Sequence, residues 1–418
     1  MRALLIRLGD LLALQRGRYA VLLAAAIGAA VWVAWLTSLL ARTGFLDLAG
    51  NIKGADFVEF YAAGRIVATH RTDHLYDFDL QSRVEHELTA PQAWSGFHGF
   101  ITPPFFALPF VPLSALPYAV ALTLWSGLGL LLVPGSLWLL HGPKAEPGRP
   151  LPVLWALAFV PIFAAVSYGQ NSLLSLFILA AVFALLGRGR DGLAGLVLGL
   201  LLYKPQLVLV LALLLALERR WSALLGLGAT AIALVLASLS MSLPAAHAYA
   251  RLASSFPAML GDPAFPTWKM HSLYSFFVLL LPGHLGLAAG CAALSSAALL
   301  LAVRTLQPPY RADALHRWFA GAIWGSVLVS PHVPLYDLSL LVLPAVLLRA
   351  ERRDAALWRG GVAAIWAATI LSQPLAHLLR AGLGASLQLS VPVIAAAGYC
   401  LLRDAAGTDA GGGSPREL

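Results

Sequence analysis

Charge is scarce in this chain. Only 11% of its 418 residues are charged while 59% are hydrophobic, and several windows of about 20 residues carry no charge at all, which excludes a soluble globular protein. Cysteine is scarcer still. Cys291 and Cys400 are the only two, and both fall inside apolar runs, so a disulfide framework, a Cys-ligated metal site and thiol redox chemistry are excluded. Also missing are HExxH, DxD and any clustered His and Cys, so no metal site is expected. "GLGLLL" at 127–132 and "GLGAT" at 226–230 are helix-packing glycines rather than a nucleotide loop. No soluble domain and no internal repeat interrupts the hydrophobic pattern. A nucleic acid or nucleotide sugar has nowhere to sit, so a substrate arrives by the membrane.

What is present is a series of continuous Leu- and Ala-rich runs, which predict an all-α polytopic membrane protein rather than a barrel. The expected spans are 19–40, 117–140, 152–168, 172–187, 192–204, 205–218, 221–242, 284–303, 317–330, 336–349, 357–374 and 386–402, about 12 in all. They form a single transmembrane domain over 1–403. The basic N-terminus followed by an apolar run of about 21 residues reads as an uncleaved first span. Residues 404–418, Gly-rich and polar, read as a disordered tail.

The net charge of +8 is read first as topology. With "RLGDLLALQRGR", "HGPKAEPGR", "GRGR", "ERR", "VRTLQPPYRADALHR" and "RAERRDAALWR" on the cytoplasmic side, that side and the C-terminus hold about two thirds of the 28 Lys and Arg. Both termini are then cytoplasmic. The outer side receives the large loop 41–116, "SYGQN", "LYKPQ", 243–283 and "SPHVPLYD".

Four of the spans, 192–204, 205–218, 317–330 and 336–349, have about 13–14 residues and reach only ~20 Å of a ~30 Å hydrocarbon core. Their turns are expected below the outer surface, lining a cavity. "ITPPFFALPFVPLSALP" at 101–117 and "SLYSFFVLLLPG" at 272–283 are expected as half-helices along the outer interface.

Ionisable groups at membrane depth cost about 2.5–3.5 kcal/mol on insertion scales and are functional candidates by default. Lys204 stands before a helix-breaking proline in "LLLYKPQLVLV", placed either to bind a phosphate within the cavity or to snorkel to the outer surface. His332 and Asp337 share the turn "SPHVPLYDLSLL". His271, in "WKMHSLYSFF", belongs to the same wall or caps the helix after it. Asp56 opens "DFVEFYAAG", where Phe57, Phe60 and Tyr61 predict an apolar face on a short interfacial helix. It is either a general base or a plain helix N-cap.

The sequence resembles a known family. "GADFVEFYAAGRIVATHRTDHLYD", "ITPPFFALPFVPLSALP", "YGQNSLL", "GLLLYKPQLVLV", "HSLY" and "SPHVPLYDLSLLVLP" occur in order, as in the polyprenol-phosphate-mannose-dependent mannosyltransferases of glycosyltransferase family 87. The resemblance runs over roughly residues 50–350. It implies the C-type glycosyltransferase fold, with interfacial helices in the first outer loop. It also implies inverting transfer of a hexose, most readily mannose, from a polyprenyl-phosphate donor to a lipid or glycolipid hydroxyl, on the periplasmic face of a bacterial inner membrane. Asp56 would be the catalytic base, and Lys204, His332, Gln170, Tyr61, His271 and Asp337 would hold the donor phosphate and sugar without a metal. Two positions depart from the family pattern: Ile101-Thr102 where relatives carry Tyr before the Pro pair, and Met270-His271 where Asn is common. A lipid or small-molecule transporter is the rival from another class, since Pro-broken spans and a polar cavity also suit a substrate path. A non-catalytic assembly partner is a third reading.

Overall fold

The computed structural model describes residues 1–13, 15–41, 44–90, 92, 94–141, 151–262, 265–306, 310, 314–383 and 386–407. The helices in chain order are α1 (Arg2–Ala13), α2 (Gln15–Ala41), α3 (Phe57–Ala68), α4 (Phe78–Thr89), α5 (Phe110–Ser114), α6 (Tyr118–His141), α7 (Leu151–Leu157), α8 (Val160–Tyr168), α9 (Ser172–Leu186), α10 (Asp191–Gly199), α11 (Pro205–Leu217), α12 (Trp221–Met241), α13 (Leu243–Leu260), α14 (Leu273–Leu280), α15 (Leu285–Leu306), α16 (Leu315–Val329), α17 (Val342–Glu351), α18 (Ala355–Leu383) and α19 (Ser390–Ala406). Among the described residues there is no strand, only two isolated bridges. Within a bilayer this is expected, because a helix satisfies its own backbone groups.

Among the described residues four helices are long and apolar enough to cross a membrane: α6, α12, α15 and α18. Shorter apolar helices include Ser172–Leu186, Asp191–Tyr203 and Pro205–Leu217. The chain is an all-α membrane protein. Most of the tail at 404–418, and all of the loop at 142–150, lie outside the described residues.

The polypeptide divides into two compact units, one of Ile27–Val208 with Trp221–Phe265, the other of Met1–Ala26, Leu209–Arg220 and Pro266–Leu418. In the first, α10 lies along α12 and α6 along α9, while α3 is enclosed by α4, α5 and the 3-10 turn Pro104–Ala107. In the second, α1 lies along α18, α18 along α19, and α16 against α17 and α19.

Several expectations are corrected in detail. The run 152–168 is two helices, broken at Ala158 and Phe159, because Pro161 stands in the first turn of α8 and carries no donor to continue a ladder. The run 357–374 is one helix through Leu383, with Pro374 tolerated inside it. Residues 243–260, assigned to a polar outer segment, form α13, started by Ser242, whose side chain accepts from Ala245 N. Of "RLGDLLALQRGR", assigned to a cytoplasmic loop, the part through Ala13 is helical and belongs to α1.

The helix after Asp56 differs most. It forms where expected, but it is buried nearly all round, with Phe57, Val58, Phe60, Tyr61, Ala62, Ala63, Gly64 and Ile66 inside. Gly64 permits this, since a Cβ there would strike the backbone of Phe110. Phe60 stacks on Phe110 at 5.0 Å and Phe57 on Trp125 at 6.5 Å between centroids. An interfacial face became a core face.

Candidate active site

Asp56 stands at the N-cap position of α3, yet its side chain makes no capping hydrogen bond. A plain cap is therefore excluded. Its backbone N donates to Tyr168 O at 2.9 Å, which ties the start of α3 to the end of α8. There Gly169 terminates α8 in the left-handed region at φ 69°, a conformation costly for any residue with a Cβ. A Cβ at Gly169 would also stand 2.5 Å from Phe57 Cβ, and Trp125 Nε1 donates to Gly169 O at 2.8 Å. The turn is held from two sides.

That turn delivers Gln170. Its Nε2 donates to Asp56 Oδ2 at 2.9 Å, and its Oε1 accepts from Asn171 N at 3.1 Å, so the two bonds together fix which end of the amide faces the carboxylate. On the other oxygen, His98 Nδ1 lies 3.5 Å from Asp56 Oδ1, with the Asp56 side chain 19% and the His98 side chain 31% exposed. The carboxylate is bracketed, yet it keeps a face open to a substrate.

Two further carboxyls lie close. Glu59, three residues on and half-buried, is held well above the usual carboxylate range by burial first, then by the negative charges of Asp56 and Glu85, with Lys204 acting in the opposite sense. Fully buried Glu85 accepts from His98 N at 3.1 Å, and burial pushes its carboxyl up to about 8 against that one lowering bond. Of these three carboxyls Asp56 alone carries side-chain partners on both oxygens. Glu59, Glu85 and His98 were not singled out as candidates from the sequence, and only the charge density of "NIKGADFVEF" hinted at the first.

Lys204 is where Pro205 interrupts the α10–α11 run, at φ −128° and ψ 69° after the 3-10 turn Leu200–Tyr203. It is 8% exposed, so it does not snorkel to the surface, and its Nζ donates to Ser172 Oγ at 3.3 Å. Tyr203 beside it stacks on Phe106 at 4.3 Å and shares a 2.8 Å hydrogen bond with Ser175. Asp56, Gln170 and Lys204 thus belong to one unit. Tyr61 belongs to it too, but its hydroxyl is spent on Leu116 O at 2.7 Å and Ser114 O at 3.3 Å.

A narrow apolar cleft between α6 and α9 is lined by Trp125, Leu128, Leu132, Leu173 and Leu174, with Gln170 as its polar end.

His271, His332 and Asp337 lie in the second unit. The imidazole of His271 is fully buried, burial pushes it down to about 4, and its Nδ1 lies 2.7 Å from Ser390 Oγ. It does not cap α14, a part taken by Ser272 in a capping box with Ser275. Instead its backbone N donates to Val333 O at 2.7 Å, and Ser272 Oγ donates to Pro331 O at 3.2 Å, so segment 270–272 grips the chain on both sides of half-buried His332. Asp337 is 1% exposed, in the 3-10 turn Leu335–Leu341. Among the described residues no group of three or more His, Cys, Asp or Glu could hold a metal ion.

A family model described as Glycosyltransferase family 87 matches residues 100–331. The chain belongs to glycosyltransferase family 87. The match takes in Gln170, Lys204 and His271, while Asp56, Tyr61 and His98 precede it and His332 and Asp337 follow it. No curated protein and no solved structure matches the chain. Membership makes the protein a glycosyltransferase embedded in a membrane, and no observation favours the carrier reading.

Proposed function

We propose that this family 87 glycosyltransferase moves a hexose, mannose by preference, from a polyprenyl-phosphate donor to a lipid or glycolipid hydroxyl, inverting the anomeric centre. The observation that carries the reading is the placement of Asp56. A carboxylate at a helix start that declines to cap it, oriented instead by Gln170 and left partly open, is built for use on something outside the protein.

In the proposed step the acceptor oxygen bonds to the anomeric carbon from the face opposite the phosphate. The anomeric C–O bond breaks with its electron pair passing to the leaving phosphate, and Asp56 takes the acceptor proton. The transition state resembles the oxocarbenium ion of glycoside hydrolysis, so a carboxylate suffices as base, worth about 10²–10⁴-fold. Charge accumulates on the departing lipid phosphate. Lys204, buried and fixed beside Ser172, supplies a cation that counts for more at low dielectric than in water. Tyr61, buried in the same unit, serves that site by holding its wall. The prenyl chain follows apolar surface ending near Gln170, as the cleft between α6 and α9 does. The protein sits in a bacterial inner membrane as one catalytic domain over 1–403, with both termini cytoplasmic and the site open to the periplasm. It uses no metal.

The deciding experiment follows labelled sugar from polyprenyl-phosphate-mannose in membranes carrying the intact protein or Asp56→Asn at equal expression. The expected result is a labelled lipid product from the intact protein alone, with transfer by the variant lower by about 10²–10⁴-fold. Equal labelling removes Asp56 from the mechanism. Labelling only from another lipid-linked sugar keeps the base and discards mannose.

A further inference from the structure

Gln170 orients one oxygen of Asp56; the group at the other oxygen is of a different kind. His98 comes from the loop after α4, and three features hold its ring and backbone. Its Nδ1 lies 3.5 Å from Asp56 Oδ1. Its ring lies parallel to the indole of Trp94, 4° between planes and 5.9 Å between centroids. Its backbone N donates to Glu85 Oε2 at 3.1 Å. The indole is itself flanked by His86 from α4, at 5.6 Å and 58°.

This setting accepts both charge states of an imidazole. An aromatic face and a carboxylate stabilise the cation, and 31% exposure of the side chain leaves the neutral form hydrated. Histidine is also the side chain whose charge ordinarily changes in the mildly acidic to neutral range. Groups facing it include Asp56 from the turn before α3, Glu85 and His86 from α4, and, through Asp56, Glu59 on α3. A partly exposed ion pair of this kind adds little to stability. Its consequence lies in what it does to one pair of oxygens.

We propose that His98 is a positioning residue that makes transfer pH-sensitive: neutral, it steadies Asp56 and leaves a lone pair for the acceptor proton, and protonated, it holds Asp56 in an ion pair that shuts the base off. This rests on the reading of Asp56 as base. The predicted behaviour is an acid limb in the transfer rate set by one proton on His98.

The test compares the intact protein with His98→Asn, His98→Ala and Asp56→Asn, using labelled polyprenyl-phosphate-mannose across a pH series and the melting temperature of each variant. Asparagine places an amide near Nδ1 and so keeps a donor that cannot titrate. His98→Asn is expected to move the acid limb, read as the midpoint of its own pH profile, down by at least about one pH unit. His98→Ala, which leaves Asp56 Oδ1 unsteadied, is expected to lose about 10–100-fold in kcat with the donor KM unchanged. An unchanged acid limb in His98→Asn overturns the proposal. Full activity in Asp56→Asn overturns the reading of the base instead, so the two failures are told apart. A second readout needs no substrate: in detergent, the His98 ring resonance of histidine-labelled protein should titrate at higher pH in the intact chain than in Asp56→Asn. Identical titrations would overturn the coupling.

Discussion

Gln170 Nε2 donates to Asp56 Oδ2 at 2.9 Å, joining residues 114 apart in sequence. The bond exists because Gly169 takes a left-handed turn at the end of α8 while Asp56 N is fixed to Tyr168 O. Two neighbouring backbone features therefore aim one side-chain contact.

Removing the amide should cost rate rather than fold. Gln170→Ala is expected to lower kcat by about 10–100-fold with little change in donor KM, because a misaligned base costs more than its lost hydrogen bond. Gly169→Ala should do the same and also destabilise, by about 1–2 kcal/mol for the left-handed backbone with the clash against Phe57 Cβ added. Steady-state transfer kinetics and melting curves of the two variants separate the effects. A Gln170→Ala enzyme with intact kcat would show that Asp56 needs no such support.

Lys204→Met keeps the bulk and removes the charge. The expected outcome is a loss of about tenfold or more in kcat/KM for the lipid-phosphate donor, the range for one preorganised charge on a departing phosphate. Lys204→Arg should restore only part, since a planar guanidinium does not fill the place of a compact ammonium beside Ser172. Unchanged donor kinetics in Lys204→Met would place the phosphate elsewhere.

Glu85 gives a pH signature in stability. The folded protein keeps this proton up to about 8, whereas an unfolded chain releases it near about 4.3. Between those limits the native state binds more protons than the unfolded one, so the stabilisation is full below the lower limit and is lost as pH rises through the folded value. Glu85→Gln has no such proton and keeps an oxygen for His98 N. Its melting temperature relative to the intact protein should climb across that window and level off at the alkaline end. Parallel curves would mean that Glu85 is ionised in the fold.

Divalent metal should be dispensable. Transfer in EDTA-treated membranes is expected within about twofold of untreated ones, the lipid phosphate being met by fixed side-chain cations and donors. Loss in EDTA with recovery on adding magnesium would require a metal at the phosphate.

The helical pattern was legible in the chain because a bilayer leaves the backbone few choices. Apolar runs must satisfy their own hydrogen bonds, so α6, α9, α12 and α15 fall within a few residues of their expected limits. Local covalent facts were equally readable: Pro205 breaks the run at Lys204, and the Pro-rich stretch after Ile101 yields only short turns and α5.

Other features had no local cause. The same apolar residues that make α3 amphipathic on paper suit a lipid interface or a protein core, and only the arrival of Phe110, Trp125 and the Gly169 turn decided for the core. Tyr61 carried a site-like hydroxyl until two carbonyls of the α5–α6 connection took it. His271 stood beside polar residues in sequence, but Ser390, far along the chain, fixed its ring.

Sequence by itself determined that the long apolar segments are helical and lie in a membrane, since a hydrocarbon core offers no partner to a segment's backbone groups and each such segment must bond to itself. Tertiary structure decided which carboxylate is held and by what. The bonds from Gln170 to Asp56 and from Glu85 to His98 N join separate segments, and a hydrogen bond, effective over only about 3 Å, exists only once both segments are in place.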